Sequence, residues 1–343
     1  MAQHHGQFLM PIGYWWTVAI ISWGVACALT RWRGPGLISR IPALLVSELP
    51  FIVAYLLIAS TVLALVDGDL HSPAGAAGAA VALLALAGLM VVVGSAMRAH
   101  AALRNAGRPR RPWGRILRAP FFPGRRDVVR VRGLAYGDGP DRTLDVYHRR
   151  DRPARVPVLL HLHGGGFHSG NKAREARPLI RHLTSRRGFV CVSADYRLQP
   201  HVTLADQVAD ARAAIAWVRT HAAEYGAESG ALFVTGGSAG ANLAIRAVCD
   251  GETGIAGLIC RYGYYGDLAP SGDMPPMLVV HGEKDILASV SDARAFVERV
   301  RAVSSRPVSY AELPGAHHDF DMFESIRSAA VSQAVEQFTA SVS

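Results

Sequence analysis

One serine is framed by glycines in the stretch Gly236-Gly237-Ser238-Ala239-Gly240, which follows the β-prone run Phe233-Val234-Thr235 and leads into a helix-compatible segment from Asn242 to Val248. A serine at a sharp strand-to-helix turn presents its hydroxyl to a substrate. The residues two before and two after it, Gly236 and Gly240, must be small because the flanking backbones nearly touch. The N–H groups of the following helix favour negative charge developing at that point. Upstream lies His163-Gly164-Gly165-Gly166-Phe167. Consecutive glycines at a strand end can turn N–H groups outward, so Gly165 and Gly166, together with Ala239, are candidates for an oxyanion hole. Nucleophilic acyl transfer also needs a base and an acid to orient it. Asp285, in His281-Gly282-Glu283-Lys284-Asp285, follows an apolar strand and sits on the same sheet edge as Ser238; Asp292 is a weaker, solvated alternative. The base lies in Gly315-Ala316-His317-His318-Asp319-Phe320, where either histidine could face the serine. His281 reads as a structural residue under the acid loop. His161 and His163 have the spacing of a metal pair but lack a third ligand, so the chemistry calls for neither metal nor cofactor.

The elements that must position these groups follow in chain order. Val128 to Ala135 and Thr143 to Tyr147 read as a hairpin. Val156 to His161 and Phe189 to Ser193 are short apolar runs suited to strands covered on both faces. Leu204 to His221 has helical spacing, with Val208, Ala211, Ile215 and Val218 on one face. After the serine come strands at Gly257–Cys260, Met277–Val280 and Val308–Leu313, and helices at Val290–Val303 and Met322–Val342. Alternating strands and helices predict an α/β fold with a mostly parallel central sheet.

Taken together, His163-Gly164-Gly165-Gly166, Asp195-Tyr196-Arg197-Leu198-Gln199-Pro200 and Gly236-Gly237-Ser238-Ala239-Gly240 resemble the three signatures of the hormone-sensitive-lipase-like esterases, an α/β-hydrolase family. The likeness runs from about Val128 to the C-terminus. It is strongest to bacterial carboxylesterases that carry an N-terminal membrane region. The resemblance implies a serine esterase whose triad runs Ser238, Asp285, His318; the family's histidine two residues before Phe selects His318 over His317. Three departures stand out. Gly237 takes a place where the family often has Asp, and Ala241 one where it often has Gly. The family's long cap insertion is reduced to the thirteen residues Tyr264–Pro276. The expected substrate is a carboxylic ester, including lipid-like esters if the stem around Trp113–Phe122 roofs the site. Amidase or peptidase action on the same fold, and a catalytically silent membrane scaffold, are the alternatives.

Half of the 343 residues are hydrophobic, and the excess is concentrated at the front. Ile12–Leu29, Leu49–Val66 and Ala74–Met97 are uncharged runs of 18 to 24 residues, which matches a hydrocarbon core of roughly 30 Å. Ala43–Val46 extends the second run backwards. The sequence therefore predicts a three-helix transmembrane region (1–97), a basic juxtamembrane stem (98–126) and a hydrolase domain (127–343). Arg31, Arg33 and Arg40 follow the first run; Asp67, Asp69 and His71 follow the second; a series of arginines from Arg98 to Arg118 follows the third. The positive-inside bias places the amino terminus outside and the catalytic part in the cytoplasm of a bacterial plasma membrane. Tyr14, Trp15, Trp16 and Trp32 read as interfacial anchors, and the glycines and alanines of the third run as a close-packing face. The net charge of +9 is carried by the stretch after the third run. It suits anionic lipid headgroups, and no aromatic-interleaved or zinc-like module accompanies it to suggest nucleic acid. Cys27, Cys191, Cys249 and Cys260 form no C-x-x-C pair and read as buried free thiols.

Overall fold

The computed structural model describes residues 12–31, 37–104, 107–118, 120–121 and 125–342. The chain divides into two compact units, Met1–Ala96 and Met97–Ser343.

The first unit holds α1 (Ile12–Leu29), α2 (Leu37–Glu48), α3 (Pro50–Val66) and most of α4 (Pro73–Met97). Among the described residues, two helices, Ile12–Leu29 and Pro73–Ala102, are long and apolar enough to cross a membrane. The number rises to three if Ile38–Glu48 and Pro50–Val66, bent by 95° at their junction, count as one span. The second expected span is thus altered. Its Ala43–Val46 extension belongs to a separate helix that also contains Arg40, and the chain turns at Leu49 before Pro50, a residue that suits a helix start and not an interior. The helices have apolar side chains on both sides: Val18, Leu57, Leu89 and Val92 are buried, while Leu83, Leu84, Met90 and Val91 point outward. A helix apolar all round is at home in a core or in lipid. The small-residue face packs closely, since a Cβ on Gly88 would come within 2.4 Å of Val25. Tyr14 is buried and its hydroxyl lies 3.2 Å from Thr61 Oγ1, so it packs between helices and is not an anchor; Trp16 is exposed. Trp32, Arg33 and Phe122 lie outside the described residues.

The second unit is built on one eight-stranded sheet: β1 (Val128–Ala135), β2 (Thr143–Arg149), β3 (Val156–Leu162), β4 (Val190–Ala194), β5 (Ala227–Gly237), β6 (Gly257–Arg261), β7 (Met277–Gly282) and β8 (Val308–Leu313). Their order is β1-β2-β4-β3-β5-β6-β7-β8. β2 pairs antiparallel with β1 and β4, and every other neighbour is parallel. Alternation along each strand feeds two cores. On one face Leu160, Val192 and Val234 meet Val208, Ala211, Ile215 and Val218 of α8 (Leu204–His221), with α9 (Ala239–Cys249) and α10 (Val290–Val303) beside it. On the other face Leu159, Cys191 and Phe233 meet α7 (Arg177–Arg187) and α11 (Ile326–Val342). α8 starts on a capping box in which Thr203 and Asp206 satisfy each other's backbone N–H groups. Cys191 and Cys260 are buried in strands, and burial pushes the Cys191 thiol up to about 12.

The stretch ahead of β1 is not a free strap. Two short helices, α5 (Ala99–Ala102) and α6 (Trp113–Arg118), lie in this second unit. Arg110 Nη2 is 3.2 Å from Glu336 Oε1 of α11, and Arg115 Nη1 is 3.5 Å from Glu324 Oε2. The Glu324 N–H donates to Pro120 O, and Phe121 meets Phe323 edge to face at 5.5 Å. At least two of the guanidinium groups expected to face headgroups are therefore turned inward onto carboxylates.

Candidate active site

Ser238 joins β5 to α9 with φ +51° and ψ −119°, a conformation costly for a residue with a side chain and typical of functional turns. The framing glycines are sterically required. A Cβ on Gly240 would lie 2.1 Å from Leu162 O, and one on Gly236 2.3 Å from the Gly240 carbonyl carbon. β5 and β3 run in register with Gly236 opposite Leu162, so the serine turn and the glycine loop leave the sheet side by side.

Interactions at both ends fix the glycine loop. His163 stacks on Tyr196, ring centroids 4.3 Å apart, and the Tyr196 hydroxyl donates to His163 O. His163 Nδ1 donates to Gly164 O, while the Gly164 N–H donates to Glu175 Oε2 at 2.8 Å. Gly165 O accepts the N–H groups of His168 and Ser169. Gln199 N–H and the Gln207 side chain both donate to Phe167 O, which ties the Asp195–Pro200 segment to the loop. Of the three glycines, the first gives its N–H to Glu175. Among the described residues, no backbone acceptor takes the N–H of Gly165, Gly166 or Ala239. A cavity of about 440 Å³ beside the loop is lined by His163, Asn171, Asp195 and Tyr196, not by Ser238 or His318.

The candidate acid and base, Asp285 and His318, come together after β7 and β8. His318 Nδ1 lies 2.6 Å from Asp285 Oδ2. Asp285 Oδ1 accepts the N–H groups of Leu287 and Ala288. Burial alone would raise the Asp285 carboxyl, but His318, His281 and the Ala288 N–H outweigh it and hold it below its ordinary range. Burial likewise works against charge on His318, and Asp285 overcomes it, so the imidazole titrates above a free histidine. His281 Nε2 donates to Ala288 O, bracing the acid loop, and its burial lowers its affinity for a proton. Asp292 is exposed in the first turn of α10. His161 is engaged elsewhere, with its Nδ1 3.1 Å from the Arg261 guanidinium.

Residues 144–258 match the BD-FAE family model. The chain is 34% identical over 269 residues to the probable carboxylic ester hydrolase LipM of Mycobacterium tuberculosis, covering 63% of this chain and 62% of LipM. It is 31% identical over 264 residues to esterase LipC of the same organism, covering 62% and 65%. The chain thus spans just under two thirds of the length of these relatives. A thermophilic esterase from Thermogutta terrifontis, Est2, superposes with a TM-score of 0.53 at 24% identity, over 63% of this chain and 95% of Est2. The chain is thus similar in sequence to carboxylic ester hydrolases and in fold to a solved esterase.

The departure at Gly237 from the hormone-sensitive-lipase-like pattern has a local cause. A Cβ there would lie 2.7 Å from the Tyr262 hydroxyl. Tyr262 stands edge-on to His318, centroids 4.8 Å apart, and its hydroxyl donates to Asp321 Oδ1 at 2.6 Å. Asp321 also pairs with Arg261, which is fully buried and reaches Thr235 Oγ1 as well as His161. Gly237 thus makes room for a tyrosine that links the Ser238 turn to His318. No local pattern flags Glu175, Arg261, Tyr262 or Asp321, and the sequence reading missed all four. The reduced cap is an irregular crossing from Tyr264 to Pro276 with no helix, held where Asn242 Nδ2 donates to Tyr264 O and Arg246 pairs with Asp267.

Proposed function

We propose that this hydrolase is a membrane-anchored serine carboxylesterase that acts on carboxylic esters, including lipid-like ones. In this reading His318 Nε2 takes the proton of Ser238, and Oγ bonds to the ester carbonyl carbon. The N–H groups of Gly165, Gly166 and Ala239 hold the oxyanion that forms. His318 returns the proton to the leaving alkoxide as the C–O bond breaks, which leaves an acyl-Ser238. Water then gives a proton to His318 and attacks the acyl carbon, and collapse of the second tetrahedral intermediate frees the acid and restores Ser238. Asp285 fixes the tautomer of His318 and stabilises the imidazolium.

The observation that carries this reading is the 2.6 Å His318–Asp285 bond on the same sheet edge as a serine held at φ +51°. The names of the mycobacterial relatives support ester chemistry. The apolar outward faces of α3 and α4 support anchoring, and the arginines on either side of those helices favour a cytoplasmic catalytic unit. The short crossing at Tyr264–Pro276 and the contact between Phe121 and Phe323, five residues beyond His318, support access for long acyl chains. The test uses full-length protein in detergent. A fluorophosphonate probe should label wild type at Ser238 and not Ser238→Ala, and p-nitrophenyl esters should turn over far faster than matched anilides. Unlabelled wild type would sink the mechanism, and faster anilide cleavage would make the protein an amidase.

A further inference from the structure

The catalytic chemistry leaves one charged feature unused. Between the stretch ahead of β1 and helices α7 and α11 lies a crevice of about 350 Å³ lined by Arg110, Arg111, Arg125, His182, Arg186 and Glu324. Some of this charge is already matched. Arg110 and His182 both bind Glu336, which with their help is held down to about 2. Glu324 faces Arg115. Three guanidinium groups are left over. Arg125 Nη1 donates to the Ser185 hydroxyl, which in turn donates to Asp127, and among the described residues Arg125 has no carboxylate within 4 Å and its Nε is buried without a partner. Arg111 lies over the Trp113 ring and reaches a backbone carbonyl. Arg186, at the rim in the last turn of α7, has no carboxylate within 4 Å among the described residues.

Crowded cations short of counter-charge are costly where they are buried unless something neutralises them. Arg125 illustrates the cost, since burial and the nearby Arg115 make its guanidinium easier to deprotonate than usual. Glu324 and Asp127 offset it only in part, since the guanidinium stays easier to deprotonate than usual and burial raises the Glu324 carboxyl. Guanidinium forks match tetrahedral oxyanions, for which each charge-assisted bond is strong.

We propose that this crevice is a phosphate-binding site, with Arg111, Arg125 and Arg186 as its ligands. The site is distinct from the esterase centre and does not depend on it. Two sources supply that chemistry: the headgroup of an anionic glycerophospholipid, and free phosphate. The crevice follows in sequence directly after a helix apolar enough to cross a membrane, which favours the headgroup.

Calorimetric titration of the full-length protein in neutral detergent distinguishes the two sources. The probes are dihexanoyl phosphatidylglycerol, dihexanoyl phosphatidylcholine and inorganic phosphate. Phosphatidylglycerol should bind and should weaken with salt. Arg125→Gln with Arg186→Gln should weaken it about tenfold or more, as loss of two charge-assisted bonds requires. Arg125→Lys with Arg186→Lys keeps the charge but loses the fork, so it should bind more tightly than the glutamine pair and less tightly than wild type, which covers the case in which the glutamine pair folds poorly. Arg152→Gln with Arg155→Gln removes the same charge outside the crevice and should change affinity less than twofold. Phosphatidylglycerol binding tighter than inorganic phosphate assigns the lipid, and equal binding assigns the free ion; both uphold the site. Unchanged affinity in the glutamine pair, or an equal loss in the Arg152/Arg155 pair, overturns it.

Discussion

The two halves of the candidate active site are held by different physics. Around Ser238 the geometry is set by backbone: a left-handed φ, and glycines at 236 and 240 whose missing Cβ atoms would strike main-chain atoms. Around His318 it is set by side chains and charge, with Asp285 bound by two N–H groups and one imidazole, and Tyr262 braced on Asp321. A backbone-held half should be indifferent to pH and intolerant of a single added carbon. A charge-held half should tolerate shape changes and respond to pH. Evolution of substrate range on such a scaffold has more freedom on the second half than on the first.

The largest effect tests the two halves together. Ser238→Ala should reduce kcat roughly 10⁶-fold, the scale seen when a serine nucleophile is removed, with the melting temperature within a few degrees of wild type. Next, Asp285→Asn should lower kcat about 10⁴-fold. It should also move the acidic limb of kcat/KM to lower pH, because the Asp285 charge is what raises His318 and its loss makes the imidazolium less favourable. A limb that stays put would mean the base is not held by charge. His317→Ala should stay within a few-fold of wild type in the same assay, whereas His318→Ala should approach the loss seen in Ser238→Ala.

The smaller effects concern stability. Gly237→Ala drives a methyl group into the Tyr262 ring and should cost about 1–3 kcal/mol in denaturant unfolding. Combined with Tyr262→Leu the losses should be less than additive, since the clash disappears with the ring. Additive losses would mean that the two residues are not coupled. Glu175→Leu leaves the Gly164 N–H buried without an acceptor, which costs about 1–3 kcal/mol, and should lower kcat/KM. Glu175→Gln keeps an acceptor and should lose less of both.

What could be read from the sequence was whatever has a local cause. Ser238 and the glycine loop were legible because close backbone contact demands glycine at fixed spacing. α8 and α10 begin and end where the periodicity and capping residues place them. α7 was not seen, because arginines at 177, 181, 186 and 187 break up the apolar face made by Leu179, Ile180 and Leu183. The final helix begins at Ile326, not Met322, because Asp319, Asp321 and Phe323 are used in loop contacts. Glu175, Arg261, Tyr262 and Asp321 stayed invisible for a different reason. Arg261 and Tyr262 meet Asp321 about sixty residues on, and Glu175 meets a backbone N–H across a loop with no repeating pattern, so no sequence periodicity joins them. The bend at Leu49 was signalled by Pro50, but an uninterrupted apolar run outweighed it.

The irregular crossing from Tyr264 to Pro276 also affects timing. A hinged helical cover must swing aside before each substrate enters and each product leaves, and that motion often limits turnover. Tyr264–Pro276 holds no helix to swing, so if the proposed esterase reading is right, progress curves should start at full speed when substrate passes from dispersed molecules to aggregates; a lag phase there would count against an uncovered site.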